Sequence, residues 1–220
     1  MQPDRAVLFD LDGTLVDTER ENVESVVLAV RRWKIEMDED LRHFIVGHSW
    51  NEIYARIQRE HGLQIEMDEL IAAAVEEKRH LFAAKGYEAL PGALALVRRL
   101  YGRARLAVVS GSSRIEVRET IAGIGLTDCF THLLGAEDYG QGKPNPEPYL
   151  MGMRLLEVGP EAAIIIEDSE PGIRSGKAAG ARVIAVRRAN FLGYDQSAAD
   201  VSVDTLEQVD DELLDRLWAR

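Results

Sequence analysis

Apolar positions along the chain fall into two kinds of pattern. The first is a set of short, nearly continuous runs: AVLF (6–9), LAVV (106–109), HLLGA (132–136), AIIIE (163–167) and RVIAV (182–186). Runs of this kind are how strands buried on both faces read. The second is helical spacing. Ala93, Leu94, Val97 and Leu100 share one helix face, as do Ile115, Val117, Ile121 and Ile124. Further helices are expected over 146–157 and 170–179, with Gly180 as a stop before the next strand. Strand alternating with helix predicts an α/β protein, a parallel sheet with helices on both faces.

One stretch breaks this rhythm. No convincing strand occurs between about 18 and 85. Val23, Val26, Val27, Val30 and Trp33 mark one amphipathic helix, Ile53, Tyr54 and Ile57 a second, and Leu70, Ile71, Ala74, Val75, Leu81 and Phe82 a third. The acidic EMDED and EMDEL stretches read as solvated helix starts. The organisation expected is a core made of 1–17 and 87–220, interrupted by an all-helical domain over 18–86.

Composition narrows the function. The chain has 220 residues, 46% hydrophobic and 29% charged, as in an ordinary globular protein. No apolar run approaches the ~18 residues of a membrane span. The opening MQPDRAVLFD lacks the pattern of a signal peptide, and Cys129 is the only cysteine, so no intrachain disulfide is expected. A cytoplasmic location fits. Net charge is −12, and no Lys/Arg cluster exceeds two residues, which excludes a nucleic-acid binder that relies on a basic face. An anionic ligand would need locally supplied positive charge, from a metal ion, a lysine or helix N-termini.

Polar residues gather where the predicted strands end: Asp10 and Asp12, Ser110, Lys143 in QGKPNPEPY, and Glu167 with Asp168. Ligands of an open parallel sheet bind at the carboxyl ends of its strands, so these residues are expected to meet on one edge. Each alone has a plainer reading. Asp-Gly is a common turn, Ser-Gly a turn or cap, Lys143 a surface lysine, and Glu167-Asp168 a helix start. A calcium loop beginning at Asp10 would place Glu21 twelfth, but Leu15 stands where the loop's glycine belongs. Together, four acids, a hydroxyl and a lysine make a metal-plus-phosphate site.

FDLDGTLVDTE, VVSGSS, GKPNPEPY and IIIEDSEPGI resemble, in order, the four motifs of the haloacid dehalogenase-like superfamily. The likeness is to the subgroup that includes phosphoglycolate phosphatase and β-phosphoglucomutase, and it extends over the whole chain. It implies a Rossmann-like core with an inserted helical cap, and a Mg2+-dependent phosphatase of a small phosphorylated metabolite. Asp10 would be the nucleophile that forms an aspartyl-phosphate, and Asp12 the acid/base. In extended chain i and i+2 point the same way, so both carboxylates can address one phosphate. Mg2+ would take the Asp10 carboxylate, the Asp12 carbonyl and Asp168, with Glu167 helping through water or as a further ligand. Ser110 and the turn amides around Gly111 and Ser112 would hold the phosphate. Lys143 would neutralise it, on a loop restrained by Pro144 and Pro146, and Gly13 and Thr14 would let the backbone approach. Dehalogenases of the superfamily generally lack the second aspartate, so Asp12 favours phosphoryl transfer.

The same resemblance makes the cap the reader of the leaving group, through the VGHSW loop (46–50), with His48 and Ser49, and through Lys78. The plainer alternatives are a helix cap for His48 and a solvated lysine for Lys78. Relatives that act as mutases carry a histidine after the first motif and an arginine after the cap's GxS turn, where this chain has Asn22 and Trp50. Hydrolysis is therefore expected. A phosphomutase is the alternative, and a non-catalytic binding protein of the same fold a third reading. A monomer or homodimer is expected.

Overall fold

The computed structural model describes residues 4–45, 48, 50–187 and 195–219, Glu19 by its backbone alone. The chain divides into two compact units, Met1–Asp17 with Tyr87–Arg220, and Thr18–Gly86.

The larger unit is built on six parallel strands: β1 (Ala6–Phe9), β2 (Arg105–Val109), β3 (His132–Leu134), β4 (Ala163–Glu167), β5 (Arg182–Val186) and β6 (Val201–Val203). They lie in the order β3-β2-β1-β4-β5-β6. β1 is central, with Phe9 paired to Val108 on one side and to Ile166 on the other. Successive residues of a strand face opposite sides of the sheet, and here each side is a core. Val7, Phe9, Ile164 and Ile166 pack with helices on one side, whereas Ala6, Leu8, Ala163 and Ile165 pack on the other. This double burial is why the strands read as unbroken apolar runs.

Three local expectations need correction. HLLGA is strand only over His132–Leu134; Ala136–Asp138 is a 3-10 turn. Ile115 is 58% exposed, so the inward face of its helix is carried by Val117, Ile121 and Ile124. In the helix Ala93–Leu100 it is Leu96, with Ala93, Val97 and Leu100, that is buried, while Leu94 is only partly so. Periodicity also passes over β6, whose Val-Ser-Val is three residues on the sheet edge, and the last helix, Asp211–Trp218. Asp210 caps that helix through the Leu213 amide (2.8 Å).

The smaller unit contains α1 (Glu19–Arg31), α2 (Glu39–Ile45), α3 (Trp50–His61) and α4 (Met67–Lys85). Its own core includes Val26, Val30, Leu41, Ile57 and Leu70. The short helix α2 lacks a long apolar period but begins within the EMDED stretch, where the Asp38 carboxylate accepts the Leu41 amide at 2.8 Å. No helix among the described residues is long and apolar enough to cross a membrane.

Candidate active site

The site grows from the end of β1. Asp10 continues the strand's pairing, its amide donating to the Ile166 carbonyl at 3.0 Å. The chain then turns tightly: the Leu11 carbonyl accepts the amides of Thr14, Leu15 and Val16 at 3.3, 2.9 and 3.1 Å. The turn needs glycine at 13. Its φ is +80°, and a Cβ there would lie 2.4 Å from Asp168 Oδ2. Thr14 Oγ1 donates to Asp168 Oδ1 at 3.1 Å, tying this turn to the loop after β4.

Asp10 is 8% exposed. Lys143 Nζ lies 2.6 Å from Asp10 Oδ1 and 2.6 Å from Glu167 Oε1, and donates to the Val109 carbonyl at 3.0 Å. Lys143 does not follow a strand end as expected from sequence. It sits beyond the Ala136–Asp138 turn, on the loop leading into the helix Glu147–Leu155, after β3 has ended at Leu134. That loop is held from several sides. Glu147 accepts the amides of Gly140 and Gln141 at 2.8 and 3.0 Å. Asn145 Oδ1 accepts the Glu147 amide at 2.9 Å, and Ser175 Oγ donates to the Asn145 carbonyl at 2.6 Å.

Beyond β2, Ser112 Oγ and Ser110 Oγ donate to Asp12 Oδ2 at 2.7 and 3.3 Å. Gly111 lies in the open turn between them, and the Ser112 amide donates to Ser110 Oγ at 3.0 Å. The turn ends where the helix Arg114–Gly123 starts with a capping box between Ser113 and Glu116. Asp10, Asp12, Gly13, Thr14, Ser110, Ser112, Lys143, Glu167 and Asp168 are thus joined at one edge of the sheet. His48 and Lys78 belong to the helical unit: His48 is exposed and stacks on Phe44 at 3.8 Å, and Lys78 lies partly buried on α4. Ser49, Val46 and Gly47 lie outside the described residues.

Negative charge is in excess here. Burial, and then the charges of Glu167, Asp168 and Asp12, push the Asp10 carboxyl well above the usual range against the opposing pull of Lys143. Asp168 is pushed up to about 8, by burial first and the Glu167 charge second. Burial opposes the charge of Lys143, but Asp10 and Glu167 outweigh it and hold the ammonium well above its ordinary value. Four carboxylates against one ammonium make a cluster that takes up either a proton or a cation. One oxygen each from Asp10, Glu167 and Asp168 come within 4.8 Å of one another. An all-oxygen donor set of this size fits a hard divalent cation such as Mg2+.

Several supports of the site lie outside what sequence reasoning finds. Tyr139 Oη donates to the Ser110 carbonyl at 2.7 Å, and Tyr149 Oη to Glu167 Oε1 at 2.9 Å. Gln196 Nε2 bridges the carbonyls of Asp168 and Val186 at 2.5 and 3.1 Å. Tyr149 lies in the GKPNPEPY motif, which is a signal that could have found it; nothing around Gln196 in the sequence marks it.

Residues 7–186 match the haloacid dehalogenase-like hydrolase family, and the chain belongs to it. It is 35% identical over 197 residues to hexitol phosphatase A of Escherichia coli, across 83% of this chain and 82% of that one. It is 33% identical over 206 residues to the bifunctional riboflavin kinase/FMN phosphatase of Arabidopsis thaliana; 91% of this chain spans 53%, about half, of that relative. Among solved structures it is similar to CbbY from Rhodobacter sphaeroides in complex with phosphate, with a TM-score of 0.81 and 25% identity over 93% of this chain and 95% of that one.

Proposed function

We propose that this enzyme is a Mg2+-dependent phosphatase of small phosphorylated metabolites, working through an aspartyl-phosphate on Asp10. The observation that carries the reading is the pair of carboxylates two residues apart with different partners: Asp10 on the Lys143 ammonium, and Asp12 on the hydroxyls of Ser110 and Ser112. The first lies beside a fixed cation, whose charge favours the anion that a nucleophile requires. The other sits among groups that exchange hydrogen bonds, as a proton carrier requires. The relative named hexitol phosphatase A supports a phosphomonoester as substrate.

In the first step an Asp10 oxygen bonds to phosphorus as the ester P–O bond breaks. The leaving alkoxide takes the Asp12 proton. In the second, Asp12 removes a proton from water as the water oxygen bonds to phosphorus; the Asp10–phosphorus bond breaks, releasing inorganic phosphate and restoring Asp10. Lys143 and the turn at 110–112 hold the phosphoryl oxygens. Asp10, Asp168 and the Asp12 carbonyl would hold Mg2+, which supplies the positive charge that lets an anionic substrate approach four carboxylates.

The test is phosphate release from p-nitrophenyl phosphate with Mg2+ and after chelation. Turnover that needs Mg2+ and vanishes in Asp10→Asn is expected; equal rates after exhaustive chelation would overturn the reading. Phosphorus NMR with β-glucose 1-phosphate, Mg2+ and a trace of the bisphosphate separates hydrolysis from isomerisation. Inorganic phosphate is the expected product of any turnover, and faster accumulation of glucose 6-phosphate would establish a mutase instead.

A further inference from the structure

Glu167 is completely buried at the end of β4, and both its oxygens are already in use. Oε1 accepts Lys143 Nζ at 2.6 Å and Tyr149 Oη at 2.9 Å. Oε2 accepts the amides of Asp168 and Ser169 at 3.0 and 3.1 Å and Ser169 Oγ at 3.0 Å. A carboxylate offers about four lone-pair positions, and these donors fill them. The carboxylate cannot easily move to free one. Behind it is Gly172, where a Cβ would fall 1.7 Å from Oε1. A divalent ion reaching Oε1 would also meet the Lys143 ammonium, which already occupies that oxygen, and like charges at such range repel strongly in a buried site. Asp10 and Asp168 differ. Asp10 Oδ1 takes Lys143 and Asp168 Oδ1 takes Thr14, which leaves each with a second oxygen that no donor from another described residue occupies.

We infer that Glu167 is a positioning residue for Lys143 and not a ligand of the divalent cation. This rests on the metal-dependent reading above. Glu167 accepts the ammonium, and Lys143 spans from it to Asp10 at equal 2.6 Å distances. Cation affinity then depends on Asp10 and Asp168. Affinity for the phosphoryl group depends on Lys143, and through it on Glu167 and Tyr149.

The two dependences can be separated without turnover. Mn2+ is titrated into the metal-free full chain by electron paramagnetic resonance, and inorganic phosphate into the Mn2+-loaded protein by calorimetry. Asp168→Asn is expected to weaken Mn2+ by more than ~10-fold, the equivalent of ~1.4 kcal/mol. Glu167→Gln is expected to keep Mn2+ affinity within ~3-fold while weakening phosphate by more than ~10-fold. A merely structural fault would weaken both. Tyr149→Phe removes one donor without adding a misplaced amide, and carries the test if Glu167→Gln does not fold. Its expected result is unchanged Mn2+ affinity with weaker phosphate binding. Loss of Mn2+ affinity in either variant comparable to that of Asp168→Asn would overturn the inference, as would unchanged phosphate affinity. A wild-type protein that binds no Mn2+ would overturn the metal-dependent reading itself, and the inference with it.

Discussion

Replacing Lys143 by Met removes one charge and keeps most of the side chain's bulk beside the Tyr149 ring, over which Nζ lies at 4.9 Å. Its consequence follows from what surrounds it. The side chains of Lys143 and Asp10 are each 11% exposed and that of Glu167 is fully buried, so water cannot replace the ammonium. Removing one partner of a buried ion pair costs about 3–5 kcal/mol, because a charge is left uncompensated. Here two carboxylates lose their partner, and the Val109 carbonyl loses a donor, so the upper part of that range is expected. A domain's whole stability is only ~5–15 kcal/mol. At ~2–4 °C per kcal/mol for a chain of this size, melting falls by roughly 10–20 °C. The loss must also depend on pH. Without Lys143, whose charge opposes the upward push of burial, the Asp10 carboxyl holds its proton more tightly when folded than when unfolded. The folded variant therefore binds extra protons, and its deficit shrinks as pH falls and grows as pH rises. Urea unfolding followed by circular dichroism, at pH 5.5 and pH 8 in chelator, measures both effects. A deficit below ~1 kcal/mol at pH 8 would refute the argument. So would a larger deficit that is the same at both pH values.

Asp12→Asn should lower kcat by ~10²–10⁴-fold, and alkyl phosphates should suffer more than p-nitrophenyl phosphate; equal losses would remove leaving-group protonation from the role of Asp12. Asp168, pushed up to about 8 in the metal-free site, stays protonated when folded over a range in which the unfolded chain is ionised. Metal-free stability should thus fall as pH rises from about 4 toward 8, by at most ~1.4 kcal/mol per pH unit from this group. Melting curves in chelator should show this slope flattened by Asp168→Asn; an unchanged slope would place the excess proton elsewhere. Gly172→Ala would put a methyl group 1.7 Å from Glu167 Oε1, and thermal melting should report a loss of more than ~1 kcal/mol, whereas the same change at Gly111, where nothing lies within 4 Å, should leave stability nearly unchanged.

How far the sequence discloses this arrangement depends on how far apart the interacting residues lie. The strands β1, β2, β4 and β5 are visible because both sheet faces are buried, so apolar residues run with little interruption; β3, on one edge and mostly half-buried, shows only through its two leucines. Asp10, Ser110 and Asp168 stand out because each is a polar residue at the point where such a run stops. β6 does not, because Val-Ser-Val on an edge needs no continuous apolar run. Lys143 can be recognised by its motif but not by its position. It reaches Asp10 from a loop 133 residues away in sequence, and no local rule gives that reach. The supports are hidden for the same reason. Tyr139 meets Ser110 from 29 residues away and Gln196 meets Asp168 from 28, through hydrogen bonds to backbone carbonyls that leave no trace in residue type. Periodicity also misplaces Ile115. Three apolar neighbours on its helix turn inward, and a fourth at nearly the right spacing faces solvent.

The central claim is that Asp10 carries the phosphoryl group. The most direct measurement is a borohydride quench during turnover, which reduces an acyl phosphate to the alcohol and leaves homoserine where the aspartate was. Peptide mass spectrometry should find homoserine at position 10, only when both substrate and Mg2+ are present, and never in Asp10→Asn. Homoserine at position 12 instead, or sustained turnover with no reducible group at Asp10, would contradict the account.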